Sequence, residues 1–112
     1  MGKAGKIVTK TDSKGLAAWT RDCQWLARAA RVTKASKPHG VELVVEFVFA
    51  QPKTSKLSAP TVKPDIDKTV RAIFDSLKGI LIHDDAQVIE LHARKHYGGP
   101  ERVQIRIQEA IA

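Results

Sequence analysis

Apolar positions along the chain follow two different periods. Between residues 16 and 30 they fall at Leu16, Trp19, Cys23, Leu26, Ala27 and Ala30, with Thr20 on the same side, the spacing of one helical face. Arg21, Gln24, Arg28 and Arg31 lie on the opposite face, a solvated stripe or a ridge for phosphate groups, with Trp25 beside it as an exposed aromatic. Asp12 or Ser13 stands where a helix cap belongs, and Ser36, Lys37 and Pro38 end the helix near residue 34. From 41 to 49 the period becomes two. Val41, Leu43, Val45, Phe47 and Phe49 share one face, and Glu42, Val44, Glu46 and Val48 the other, the clearest strand of the chain. Its second face is only half polar, which predicts partial cover, a second copy being one candidate.

A second helix is predicted over residues 68–78, with Ile66, Val70, Ile73, Phe74 and Leu77 as the buried stripe and Gly79 as the stop. Residues 87–97 read as a strand with Ile89, Leu91 and Ala93 inward and Glu90, His92, Arg94 and His96 outward. Gly98 and Gly99 read as a hairpin turn into a last strand over 102–108, with Val103, Ile105 and Ile107 inward and Arg102 and Arg106 joining Arg94 outside. Residues 51–64 hold three prolines and three lysines among Ser and Thr, a basic loop expected to be mobile. Near the start only Ile7 and Val8 resemble a strand. These elements predict one α/β (α+β) domain over residues 1–112, a small mixed sheet with two helices packed on it.

Composition narrows the class. At 112 residues, 43% apolar and 28% charged, the chain is expected to form one packed domain. No apolar run spans a membrane or marks a signal peptide, so a cytoplasmic protein is expected. One cysteine, Cys23, excludes an internal disulfide and a multi-cysteine zinc site, and its place on an apolar face marks it as core. The net charge is +7, yet residues 65–90 hold six of the twelve acidic residues and are net negative. A basic body favours a phosphate backbone; an acidic knot inside it favours a bound cation.

That knot begins with Asp65 and Asp67, directly after Lys63-Pro64. In extended chain, residues two apart point the same way, about 6.5 Å apart, so both carboxylates can converge on one hard cation. A helix cap explains one aspartate and leaves the second. A helix of ten to twelve residues carries the chain about 15–18 Å away, and residues 80–83, if extended, bring it back by about 13 Å, returning Asp84 or Asp85 to the helix start. Three carboxylates together call for a compensating cation. Mg²⁺ suits such oxygen ligands and keeps waters that can attack a phosphate. Spacing does not choose between Asp84 and Asp85. Arg71 is four residues from both Asp67 and Asp75 and can reach either. His92 and His96 lack the glutamate of a zinc-protease helix.

The run Asp65-Ile66-Asp67, then Asp75-Ser76-Leu77, then Asp84-Asp85-Ala86-Gln87-Val88 resembles the RusA family of Holliday-junction resolvases, whose pattern is D-x-D-N, a helix with D-A-L, then D-D-x-Q. The resemblance is close over residues 63–97. It implies a homodimeric, Mg²⁺-dependent endonuclease, with Mn²⁺ as an alternative ion, that makes paired symmetric nicks in four-way DNA junctions during recombination and repair, in a bacterial or phage setting. Its metal-binding acids correspond to Asp65, Asp67 and Asp85. Arg71 stands at the family's helix lysine, where it keeps the charge but not a usable proton. Lys68 replaces the family's Asn, and the family's N-terminal strand has no counterpart ahead of Gly5.

The expected site is therefore Asp65, Asp67, Asp85 and Arg71. Lys53, Lys56, Lys63, Lys68 and Arg94 are expected to hold branched DNA. A branched-DNA binder without turnover and a nuclease for another structured nucleic acid are the rival readings.

Overall fold

In the computed structural model the described residues are 4–9, 16–29, 34–35, 39–99 and 101–110. The order is β1 (Ala4–Thr9), α1 (Leu16–Ala29), β2 (Val41–Phe49), α2 (Ile66–Leu77), a 3₁₀ turn (Asp85–Gln87), β3 (Val88–Tyr97) and β4 (Arg102–Glu109). The cap expected at Asp12 or Ser13, the stop at Ser36, Lys37 and Pro38, and Arg31 of the stripe lie outside the described residues. The strand resemblance at Ile7 and Val8 corresponds to β1, which is longer than those two residues suggested and begins at Ala4, ahead of Gly5.

The four strands form one mixed sheet in the order β1-β4-β2-β3. β2 lies between β4, antiparallel to it, and β3, parallel to it, so β3 and β4 are not a hairpin. The glycine turn instead carries the chain past the end of β2, where the Gly98 amide donates to the Phe49 carbonyl at 2.9 Å. A Cβ on Gly98 would stand 3.0 Å from Val48 Cγ1. That close passage helps explain why Val48, on the half-polar face of β2, is fully buried. Part of the predicted cover is thus the chain's own.

Both helices pack on the other face. Val41, Leu43, Val45 and Phe47 of β2, Val103, Ile105 and Ile107 of β4, Cys23 and Ala27 of α1, and Ile73 and Leu77 of α2 form one buried cluster. The buried stripe of α2 is rotated from the predicted one. Thr69, Ala72 and Ser76 are buried and Ile66 is exposed, because α2 meets α1 through its small residues. The Ser76 hydroxyl donates to the Ala72 carbonyl at 2.7 Å and faces the Thr20 carbonyl of α1 at 3.3 Å. Cys23 sits against it, its thiol pushed up to about 12 by burial, then by the charge of Asp22, with the Ser76 hydrogen bond opposing.

β3 departs most from its prediction. Ile89 is 64% exposed and Leu91 41%, although Leu91 and Ala93 share the core face with their partners Leu43 and Val45. β3 is the edge strand, and the helix layer covers it only in part: Val88 packs on the core cluster, whereas Leu91 is exposed. Alternation holds from Glu90 onward, but a bulge opposite Val41 and Glu42 turns Val88 toward the core and leaves Ile89 out of the pattern.

Replacing Ile73 by Ala lowers the unfolding free energy by about 3 kcal/mol, whereas Leu57→Ala, at a side chain 43% exposed, changes it by less than about 0.5 kcal/mol; urea denaturation compares the two. The Cys23 thiol resists iodoacetamide at pH 8 in the folded protein and reacts once urea unfolds it, as mass spectrometry of the adduct reports.

Candidate active site

The acidic stretch divides between the two ends of α2. Asp65 is the N-cap residue, with extended backbone, and its carbonyl accepts the Lys68 and Thr69 amides at 3.1 Å each. Its carboxylate makes no cap hydrogen bond, so capping does not use up its charge. It lines an open pocket of about 630 Å³ with Lys63, Ile66, Val62 and Lys95. Because the helix already begins at Ile66, Asp67 lies in the first turn and the extended two-residue spacing does not hold; positions two apart there do not face one another. Asp67 is exposed and pairs loosely with Lys68 at 3.6 Å.

At the other end, Gly79 adopts a φ of 83°, which glycine takes without strain. The amides of Ile80, Leu81 and Ile82 all turn back on the Leu77 carbonyl at 3.0, 2.9 and 3.3 Å. The extended return expected over residues 80–83 is therefore a tight turn. From Ile82 the three remaining steps to Asp85 recover at most about 10 Å of the about 18 Å spanned by the helix. Among the described residues, no three His, Cys, Asp or Glu side chains are grouped closely enough to hold a metal ion.

The adjacent aspartates have different work. Asp84 caps the 3₁₀ turn: its carboxylate accepts the Ala86 amide at 3.1 Å, and the Gln87 side chain accepts the amides of His83 and Asp84 at 2.6 and 3.2 Å, a reciprocal capping box. Gln87 also donates to the His39 carbonyl at 3.1 Å, which ties the turn to the chain entering β2. Asp85 follows with its Oδ1 buried and unpartnered. A buried carboxylate oxygen is costly without a hydrogen bond or a cation. This orphaned carboxylate oxygen fits a hard divalent cation. The capping role of Gln87 was missed, though Asp84 and Gln87 have capping-box spacing.

Arg71 pairs with Asp75, Nε to Oδ1 at 3.7 Å, rather than with Asp67. Both groups are exposed, so the pair is weak and the guanidinium remains available. Lys53, Lys56, Lys63 and Lys68 are exposed, and Lys63 lines the pocket beside Asp65. Arg94 is exposed on the outer sheet face, in register with Glu46, away from the pocket. On that outer face Glu42 is pushed up, first by its hydrogen bond with Glu90, then by partial desolvation and the Glu90 charge. Glu90 is held down by the same bond and by His92, 3.5 Å away.

The residue that sequence reading passed over is Lys95. Its ammonium donates to the Val62 carbonyl at 2.9 Å and the Pro64 carbonyl at 2.8 Å. The available signal was a lysine at an inward position of an otherwise apolar strand face.

An α+β domain with free aspartates at a helix start, an orphaned carboxylate after it and a basic surround defines a candidate hydrolase of phosphate esters. The model of the family Endodeoxyribonuclease RusA matches residues 1–108, and the chain belongs to that family of DNA-cleaving hydrolases. It is also 39% identical over 56 residues to an uncharacterized protein, YqaN, of Bacillus subtilis (strain 168), a match covering 50% of this chain and 39% of that protein.

In metal-free buffer, Asp85→Asn relieves the uncompensated carboxylate and leaves the folded state as stable or up to about 1 kcal/mol more stable. Asp84→Ala loses the cap and costs about 1 kcal/mol. Urea unfolding in EDTA gives both values.

Proposed function

We propose that this protein is a divalent-metal-dependent endonuclease that nicks branched DNA, four-way junctions foremost, and acts as a homodimer. The observation that carries the reading is the division of labour at the 3₁₀ turn: Asp84 is committed to capping, while Asp85 keeps a buried oxygen with no partner. Membership of an endodeoxyribonuclease family supports DNA as the substrate. Asp65, Asp67 and Asp85 would hold the ion, Mg²⁺ in the first instance. When bound, such an ion supplies Lewis acidity toward the scissile phosphate and acidifies a water. Arg71, permanently charged, stabilises negative charge on the phosphoryl oxygens and cannot act as the proton donor. Lys53, Lys56, Lys63 and Lys68 hold the backbone of the arms near the pocket, and Arg94 serves DNA only where an arm crosses the outer face. No helix among the described residues is long and apolar enough to cross a membrane, and a cytoplasmic role, bacterial or phage-borne, suits this chemistry.

A second copy accounts for the separation of the carboxylates. β3 is ten residues long with a free edge and two exposed apolar side chains, and unpaired edges invite strand addition. Paired antiparallel about His92, each Glu90 faces the partner's Arg94, and Leu91 faces the partner's Ala93. Val88 and Lys95 are about 23 Å apart along the strand. Such pairing turns one protomer's Asp85 toward the end of β3 where the other's Asp65 lies.

On a synthetic four-way junction, Mg²⁺-dependent paired nicking is expected, with Asp65→Asn and Asp85→Asn each slowing it at least 100-fold. Junction binding without metal-dependent nicking would leave a binder, and preferential cleavage of flaps or RNA another nuclease. Mixing the two inactive variants restores one intact site per mixed dimer, so a substantial fraction of activity returns; no recovery sinks the shared-site arrangement while leaving the nuclease standing.

A further inference from the structure

We propose that Lys95 is the positioning residue for Asp65; this rests on reading Asp65 as a functional carboxylate. Lys95 lies on the core face of β3, in register with Phe47, and lines the pocket with Asp65 and Ile66 at the start of α2. Its ammonium takes the carbonyls on either side of Lys63, those of Val62 and Pro64, at 2.9 and 2.8 Å. The Pro64 carbonyl belongs to the peptide that leads into Asp65. Two charge-assisted hydrogen bonds from one nitrogen therefore fold residues 62–64 around it and fix the direction in which Asp65 starts α2.

The other hydrogen bonds of the loop are local. Gln51 donates to the Leu57 carbonyl, the Ser55 amide to the Pro52 carbonyl and the Thr61 amide to the Ala59 carbonyl. None of these ties the loop to the sheet. Lys95 does, and it spends its charge on carbonyls rather than on the Asp65 carboxylate. The side chain thus brings a cation to the rim of the pocket without neutralising the group that lines it. An ammonium has three N–H donors, so a direct contact with a DNA phosphate is the competing role, and the experiment separates them.

Lys95→Met keeps length and removes charge. Hydrogen exchange of the amides in residues 61–69 should accelerate at least tenfold, with the second half of α2 and with β2 unchanged. Single-turnover nicking should fall about 100-fold, the Mg²⁺ concentration for half-maximal rate should rise about tenfold, and junction affinity measured in Ca²⁺ should stay within twofold. Aminoethylation of the thiol in Lys95→Cys, which rebuilds an ammonium of nearly the same reach, should restore both exchange and rate to within about fivefold; Cys23 is buried and does not compete. Unchanged exchange at 61–69 overturns the proposal. So does a tenfold loss of affinity with a salt dependence reduced by about one phosphate contact, which would make Lys95 a DNA ligand. Should Lys95→Met lose protection throughout the sheet, failure of aminoethylation to restore residues 61–69 overturns it as well. If the unaltered protein nicks no DNA, the nuclease reading fails, and the exchange measurements still decide whether Lys95 holds Asp65 in place.

Discussion

Parallel pairing of β2 and β3 is the constraint from which the rest of the molecule follows. Antiparallel neighbours can be joined by a two-residue turn, but parallel ones need a crossover of a dozen or more residues. Here the crossover is the 51–64 loop, α2 and the turn beyond it, so the chain leaves β2 at one end of the sheet and must re-enter at the other. Every acidic residue of interest lies on that crossover or at its close. Asp65 is fixed where the loop meets the helix and Asp85 where the helix gives way to β3. The distance between them is set by topology, and no adjustment of side chains removes it.

The same constraint decides what covers what. With β2 central and β4 beside it, two helices suffice to bury one face of those strands. They cover β3 only in part: Val88 packs on the cluster, while Leu91 is exposed and Lys95 meets the loop. Small residues permit the close packing of α1 on α2: Ala72 and Ser76 bring the backbones together, and the hydroxyl satisfies itself on helix carbonyls. A larger side chain at either position would lift α2 and shift the start of the helix with it.

Much of this was legible in the sequence. Alternation in β2 and β4 gave both strands and their inward residues, and Gly79 marked the end of α2. What failed was whatever depended on the third dimension. Periodicity assigned Leu91 to a face without saying how little overlies an edge strand, and it did not foresee the bulge that puts Val88 on the core in place of Ile89. The Gly98-Gly99 pair signalled a reversal without saying which strand lay alongside. For the site, the order of the acids and the family came from three motifs together, Asp65-Ile66-Asp67, Asp75-Ser76-Leu77 and Asp84-Asp85-Ala86-Gln87, and the preference for Asp85 over Asp84 was what that resemblance implied. The physical reason for the last motif came only with the structure: the glutamine completes a capping box with the first aspartate and so frees the second. The extended spacing of Asp65 and Asp67 failed because the helix begins at Ile66, two residues before the predicted start at Lys68.

The free edge of β3 also bears on how assembly stops. A sheet with two unpaired edges can in principle grow into a fibre, each copy adding to the next. Here the edges are unequal: ten residues on β3 and six on β1. Joining β3 of one copy to β1 of the next would leave four residues of the longer strand unmatched, so the two edges do not complement one another along their length. The mismatch in strand length weighs against head-to-tail addition, the arrangement that would extend without end.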